Sequence, residues 1–177
     1  MRRLLALPVA LAALALAPVS ALATTVTNSA DSGAGSLRDA VAAGGTVTFD
    51  PTVTSIALNS PIVASQQVAI SDTEGDVTVA ASGSFTGANP LFEFATGSGG
   101  SSVEGVNFSG PGGTAIKVDD GVTGVTIERS PIFNAAVPIA LGSGSNGGIA
   151  PPQNLKVGPR QPDGSLPVTG TVASGSR

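Results

Sequence analysis

Cysteine, histidine, tryptophan and tyrosine are all absent from the 177 residues, and only 11% of the chain is charged. Without Cys or His the chain cannot build a thiolate or imidazole metal site, a Cys nucleophile, a Ser-His triad or a disulfide framework. Carboxylates, hydroxyls, Lys and Arg are what remains for chemistry. So little charge argues against a coiled coil, and 41% hydrophobic content with a mean hydropathy of +0.33 argues against a disordered polyelectrolyte. Glycine (24) and proline (13) are plentiful, which suits a turn-rich β chain of one-domain size.

The first segment reads as an export signal: Arg2 and Arg3 give a charged start, residues 4–18 are almost all Leu and Ala, and Ala21-Leu22-Ala23 offers small residues at a peptidase site. The apolar run is shorter than the roughly 20 residues that span a bilayer, and Pro8 and Pro18 interrupt it. The expectation is a signal peptide over 1–23, cleaved after Ala23, and a secreted or cell-surface product with no membrane insertion after cleavage. Cleavage removes two of the eight basic groups and makes an acidic chain more so. That balance disfavours nucleic acid and anionic headgroups as partners.

A cap is expected over 24–45: a short strand, then a helix beginning at Ser36 as N-cap with Asp39 at the third helical position, Leu37, Ala40 and Val41 on one face, and Gly44-Gly45 as its end. From 46 to 142 the chain is a succession of three- to five-residue alternations. The 46–49 segment is followed nine positions on by 55–58, and 67–70 nine positions on by 76–79. Val106-Asn107-Phe108 precedes Ile116-Lys117-Val118 by ten, and Val125-Thr126-Ile127 precedes Ile139-Ala140-Leu141 by fourteen. The first members lie 21 residues apart (Val47 to Val68) and 19 apart (Val106 to Val125), a period of about 20.

Such spacing predicts a solenoid of parallel rungs, with Val47, Phe49, Val68, Ile70, Val106, Phe108, Val125 and Ile127 stacked inward and Thr48, Ala69, Asn107 and Thr126 outward. Phe92 and Phe94 do not fall into this register, and their face stays open. An antiparallel sandwich also has many short strands, but the equal offsets and the scarcity of Asn-Gly or Asp-Gly turns favour the solenoid; Asp120-Gly121 is one such dipeptide. Residues 143–177 read as a Gly/Pro-rich linker and an incomplete β segment, in which 167–172 starts an alternation with no partner strand.

The stretch 26–41, with Gly35-Ser36-Leu37-Arg38-Asp39-Ala40 at its centre, resembles the N-terminal signature of exported bacterial right-handed parallel β-helix proteins of the CSLREA type. Gly35 stands where that signature has Cys, and Asp39 where it has Glu. Segments 90–110 and 124–141 look like coils of the same pectin lyase-like fold. The resemblance implies an all-β, right-handed parallel β-helix of four to five coils with a short N-terminal capping helix. So few coils leave one end open, which implies self-association there or a truncated chain.

For chemistry, the charged residues Glu104, Lys117, Asp119, Asp120, Glu128 and Arg129 fall within two adjacent coils, yet no two carboxylates take matched positions on consecutive coils by this spacing. Asp72, Glu74 and Asp76 flank Gly75 but lack the EF-hand pattern. Leu166-Pro167-Val168-Thr169-Gly170 matches a sortase motif without the apolar segment and basic tail that it needs. Carbohydrate binding usually needs exposed aromatic platforms, but all six Phe lie in or beside apolar strand patterns that suit a core ladder, and Phe85, in a Gly/Ser loop, is the one aromatic left open to exposure. No catalytic, cofactor-binding or metal residue is assigned. The expected function is non-catalytic, structural or adhesive, with an extracellular polysaccharide or protein as partner. The rival is a polysaccharide lyase or glycoside hydrolase using Glu128, Arg129, Asp119 and Asp120; a third possibility is a fragment of a longer surface protein.

Overall fold

The computed structural model describes residues 23–85, 90–110 and 112–147, and the backbone of 153–157 and 168–171. A leading strand, β1 (Ala23–Val26), and one helix, α1 (Leu37–Ala43), precede four coils of three strands each. The coils are β2 (Gly45–Phe49), β3 (Ser55–Leu58) and β4 (Ile62–Ala64); β5 (Val68–Ser71), β6 (Thr78–Ala81) and β7 (Phe92–Phe94); β8 (Ser102–Glu104), β9 (Asn107–Ser109) and β10 (Thr114–Val118); and β11 (Thr126–Glu128), β12 (Ile132–Phe133) and β13 (Val137–Leu141).

Each coil gives one strand to each of three sheets: β1-β2-β5-β8-β11 on the first face, β3-β6-β9-β12 on the second and β4-β7-β10-β13 on the third. Every pairing within them is parallel. The chain is therefore a parallel β-solenoid of about five turns, as its spacing predicts, and not a sandwich.

The period and one ladder need correction. Val47 pairs with Ile70, Ile70 with Val103 and Val103 with Ile127, steps of 23, 33 and 24 residues rather than about 20. Val106 and Phe108 do not continue the first-face ladder: Phe108 stacks between Val79 and Ile132 on the second face. The physical reason is that all three faces carry the same apolar alternation, so 106–108 fits either face by pattern alone. The longer connection between Ala81 and Phe92 then shifts every later offset.

Side chains alternate in and out along each short strand, as the pleat requires. Ile56, Val79 and Phe108 are buried on the second face, and Ile62, Phe92 and Ile116 on the third. Both phenylalanines left open by the sequence point inward: the Phe92 ring lies 5.0 Å from Phe94 and 6.2 Å from Phe108, edge-on to the latter. Ala64 is the register partner of Phe94, so a small residue makes room for a large one on the next rung.

Helix α1 covers the core at the N-terminal end. The Ser36 Oγ accepts the Asp39 N–H at 3.2 Å, while the Ser36 N–H donates to the Gly33 carbonyl in place of a reciprocal capping box. Leu37, Ala40 and Val41 are buried, and the helix packs on β1, β2 and β4. Arg38 fastens this cap: its Nη2 lies 2.7 Å from the Asp31 Oδ1 and donates to the Ser60 carbonyl, and its Nη1 donates to the Pro61 carbonyl. Arg38 thus docks the cap to the first coil.

The expected signal peptide lies outside the described residues, except that β1 begins at Ala23. No helix among the described residues is long and apolar enough to cross a membrane. The segment expected to lack a partner has one: β14 (Gln153–Val157) and β15 (Val168–Thr171) form an antiparallel ribbon.

Candidate functional site

The outer surface of the solenoid is where laterally stacked polar side chains meet, because residues at one lap position repeat every rung, about 4.8 Å apart. On the first face Ser71, Glu104 and Glu128 occupy one such position. Two carboxylates are therefore matched on consecutive rungs, contrary to the sequence expectation that none are. That expectation fails because it set Val125–Ile127 against Val106–Phe108 instead of against 101–103. The missed signal is a 24-residue repeat, Gly100-Ser101-Ser102-Val103-Glu104 against Gly124-Val125-Thr126-Ile127-Glu128.

Arg129 follows with a left-handed backbone (φ 49°) and reaches down one rung, its Nη2 lying 2.5 Å from the Glu104 Oε1. Gly105 holds the equivalent place one lap earlier and is also left-handed (φ 79°). Both partners of the Arg129 pair are largely in solvent, 70% and 44% exposed on their side chains.

The four residues of the enzymatic rival do not converge. Glu128 and Arg129 lie at the end of β11 on the first face, whereas Asp119 and Asp120 leave the end of β10 on the third face, one coil earlier. Asp120 is occupied in a turn, its carboxylate accepting the Ser143 N–H at 2.7 Å. Asp119 instead joins Lys117 and Glu93 on the third face: the Lys117 Nζ lies 2.6 Å from the Asp119 Oδ1 and 2.8 Å from the Glu93 Oε1. Glu93, the register partner of Lys117, was not singled out by sequence. Hydrogen bonds to Asp119 and then to Glu93 hold the Lys117 ammonium above its ordinary range, and the same Lys117 contact lowers Asp119.

Asp72 is buried and serves its own loop: its Oδ2 accepts the Val77 N–H at 2.8 Å and its Oδ1 the Glu74 N–H. A shallow cavity of about 110 Å³ runs beside it, bordered by Thr48, Pro51, Ser71 and Glu74. Among the described residues no group of three or more carboxylates is placed to hold a metal ion. Asp50 is held below its ordinary value by hydrogen bonds from the Thr52 hydroxyl and N–H.

The aromatic expectation also changes. Phe85 packs against the core, and the exposed phenylalanine is Phe133, at 44%. It belongs to the last coil, where Val137, Ile139 and Leu141 are exposed as well, around a cavity of about 400 Å³ lined by Val118, Val125, Ile127, Ile139, Leu141 and Asn146. Of the sortase-like motif, Leu166 and Pro167 lie outside the described residues, while Val168, Thr169 and Gly170 belong to β15. Comparison of the chain with protein-family models, with curated proteins and with solved structures returns no match.

Proposed function

We propose that this chain is a non-catalytic, exported scaffold with a structural or adhesive role at the cell surface. One observation carries the reading: every Lys and Arg whose side chain is described, namely Arg38, Lys117 and Arg129, is tied to a carboxylate. A β-solenoid acting on acidic polysaccharide needs a cation free to meet uronate charge or to draw a proton. Here these cations cross-link rungs or pin the cap. The Arg-led, Leu/Ala-rich opening ending at Ala23 supports the export part of this reading.

The first test expresses the chain with residues 1–23 in a secreting bacterial host. A secreted product beginning at Thr24 by mass spectrometry is expected; retention of Met1 in the cytosolic fraction would overturn export. The second assays uronide and glucan polymers for new reducing ends and unsaturated uronides. No turnover is expected.

The matched carboxylates favour one alternative, a lyase or hydrolase on the same fold. Their rung spacing of about 4.8 Å approaches the roughly 5–5.5 Å of a retaining pair. Turnover by the wild-type chain that disappears in both Glu104→Gln and Glu128→Gln would establish that alternative and sink the scaffold reading.

A further inference from the structure

The two ends of the solenoid differ. At the first, α1 buries Leu37, Ala40 and Val41. At the last, exposure jumps within one rung: Ile116 and Val118 are at 0% and 1%, while their partners Ile139 and Leu141 stand at 41% and 40%. The cavity of about 400 Å³ opens between these side chains and Ile127.

The chain leaves the solenoid beside this opening. The Asn146 side-chain amide grips the Val125 backbone, accepting its N–H at 3.0 Å and donating to its carbonyl at 3.2 Å. From Gly147 only five residues, 148–152, lead to β14. Fully extended, the six Cα steps to Gln153 span at most about 22 Å. The longest strand of the terminal rung, β13, has five residues and is about 16 Å long. The ribbon therefore stays within reach of the terminal rung.

The ribbon also needs a surface, since two strands alone are marginally stable in water. The sequence of β14 supplies the apolar residues Leu155 and Val157, and Val168 of β15 is the register partner of Val157. No charged residue occurs between Arg129 and Lys156, so neither the last rung beyond Arg129 nor the tether carries charge that would resist desolvation.

We infer that the β14–β15 ribbon is the C-terminal cap of the solenoid, docked on the last coil over the cavity bordered by Ile127, Ile139 and Leu141. A second copy of the chain competes for the same surface, but a short tether holds the ribbon at an effective concentration in the millimolar range. The inference is independent of the scaffold role and of the Glu104–Glu128 pair.

The chain has no native cysteine, so Ser143→Cys and Thr169→Cys, introduced together in the full chain and spin-labelled, report the ribbon's position directly. One narrow distance distribution is expected; a broad, chain-like distribution would overturn the cap. In the full chain, Leu155→Asp with Val157→Asp should raise the fluorescence of a bound hydrophobic dye several-fold while far-ultraviolet circular dichroism keeps its β signal. Unchanged dye binding would count against docking. Light scattering should give a monomer for the wild-type chain. A dimer that persists in the double variant would assign the end to a second copy instead.

Discussion

Glu104 and Glu128 stand in register on consecutive rungs of the first face, and Arg129 bonds the lower of the two. Like charges directly opposite in a sheet cost about 0.2–1 kcal/mol. Glu128→Gln should therefore raise the midpoint of urea unfolding slightly at low salt, with the gain fading at high salt as screening shortens the repulsion. Glu104→Gln relieves the same repulsion but strips Arg129 of its partner, and should give no gain. Equal stabilisation by both variants would show that the ion pair contributes nothing.

Gly105 is left-handed, and a Cβ there would run into the Asp72 backbone carbonyl. Gly105→Ala should cost more than the about 1–3 kcal/mol of a strained non-glycine backbone. Gly33, also left-handed, has nothing within 4 Å of the same added atom. Gly33→Ala should cost only the conformational part, about 1 kcal/mol. Chemical denaturation of the two variants side by side measures the difference.

Arg38 satisfies the Asp31 carboxylate and the carbonyls of Ser60 and Pro61 from one guanidinium. Arg38→Ala should cost about 2–4 kcal/mol, because charge-assisted bonds are lost and Asp31 is left without its cation. Amide exchange should quicken in 23–26 and 37–43 before it does in the inner coils. Uniform quickening along the chain would mean that the cap does not open separately.

The Phe92 ring is wholly buried against Phe94 and Phe108. Phe92→Ala should cost about 3–5 kcal/mol. Phe133→Ala, at a position 44% exposed, should cost far less. A comparable loss at both positions would argue that the last coil is more deeply covered than its exposure indicates.

The Lys117 triad sets a pH dependence. Asp119 is lowered from its ordinary 3.8, so its contribution is present above that value and fades as pH falls through the lowered pKa. Lys117 is raised from 10.5, so its contribution is complete below that value and fades as pH rises through the raised pKa. Solvent reaches two-fifths of the Lys117 side chain, so both effects should be small. Unfolding midpoints of wild type and Lys117→Met should differ most at neutral pH and converge in acid. A constant difference across the range would show that the triad is not electrostatic in origin.

Much of the architecture was legible because its determinants are local. Ser36, the face of Leu37, Ala40 and Val41, and Gly44 announce the helix, and the nine-residue step from Val47 to Ile56 recurs from Ile70 to Val79. The third face was not recognised as a face, because strands as short as Ile62–Ala64 carry too few residues to display a period. The longer path from Ala81 to Phe92 then disguised the 23–24-residue lap. The Glu104–Glu128 pair depended on that lap length. An error of a few residues in the period moves one carboxylate off its partner. The ribbon escaped notice because Gln153–Val157 follows two prolines and finds its partner across an intervening loop, through pairing that no local pattern reveals.

The helix over the first rung also decides what could happen if the far end were bared. A unit with sticky surfaces at both ends can polymerise without limit, whereas one sealed at its leading end by Leu37, Ala40 and Val41 is monofunctional. It can couple once, tail to tail, and the growing object is then finished. The fold most suited to templating endless cross-β fibres carries its own chain terminator, placed over its N-terminal rung.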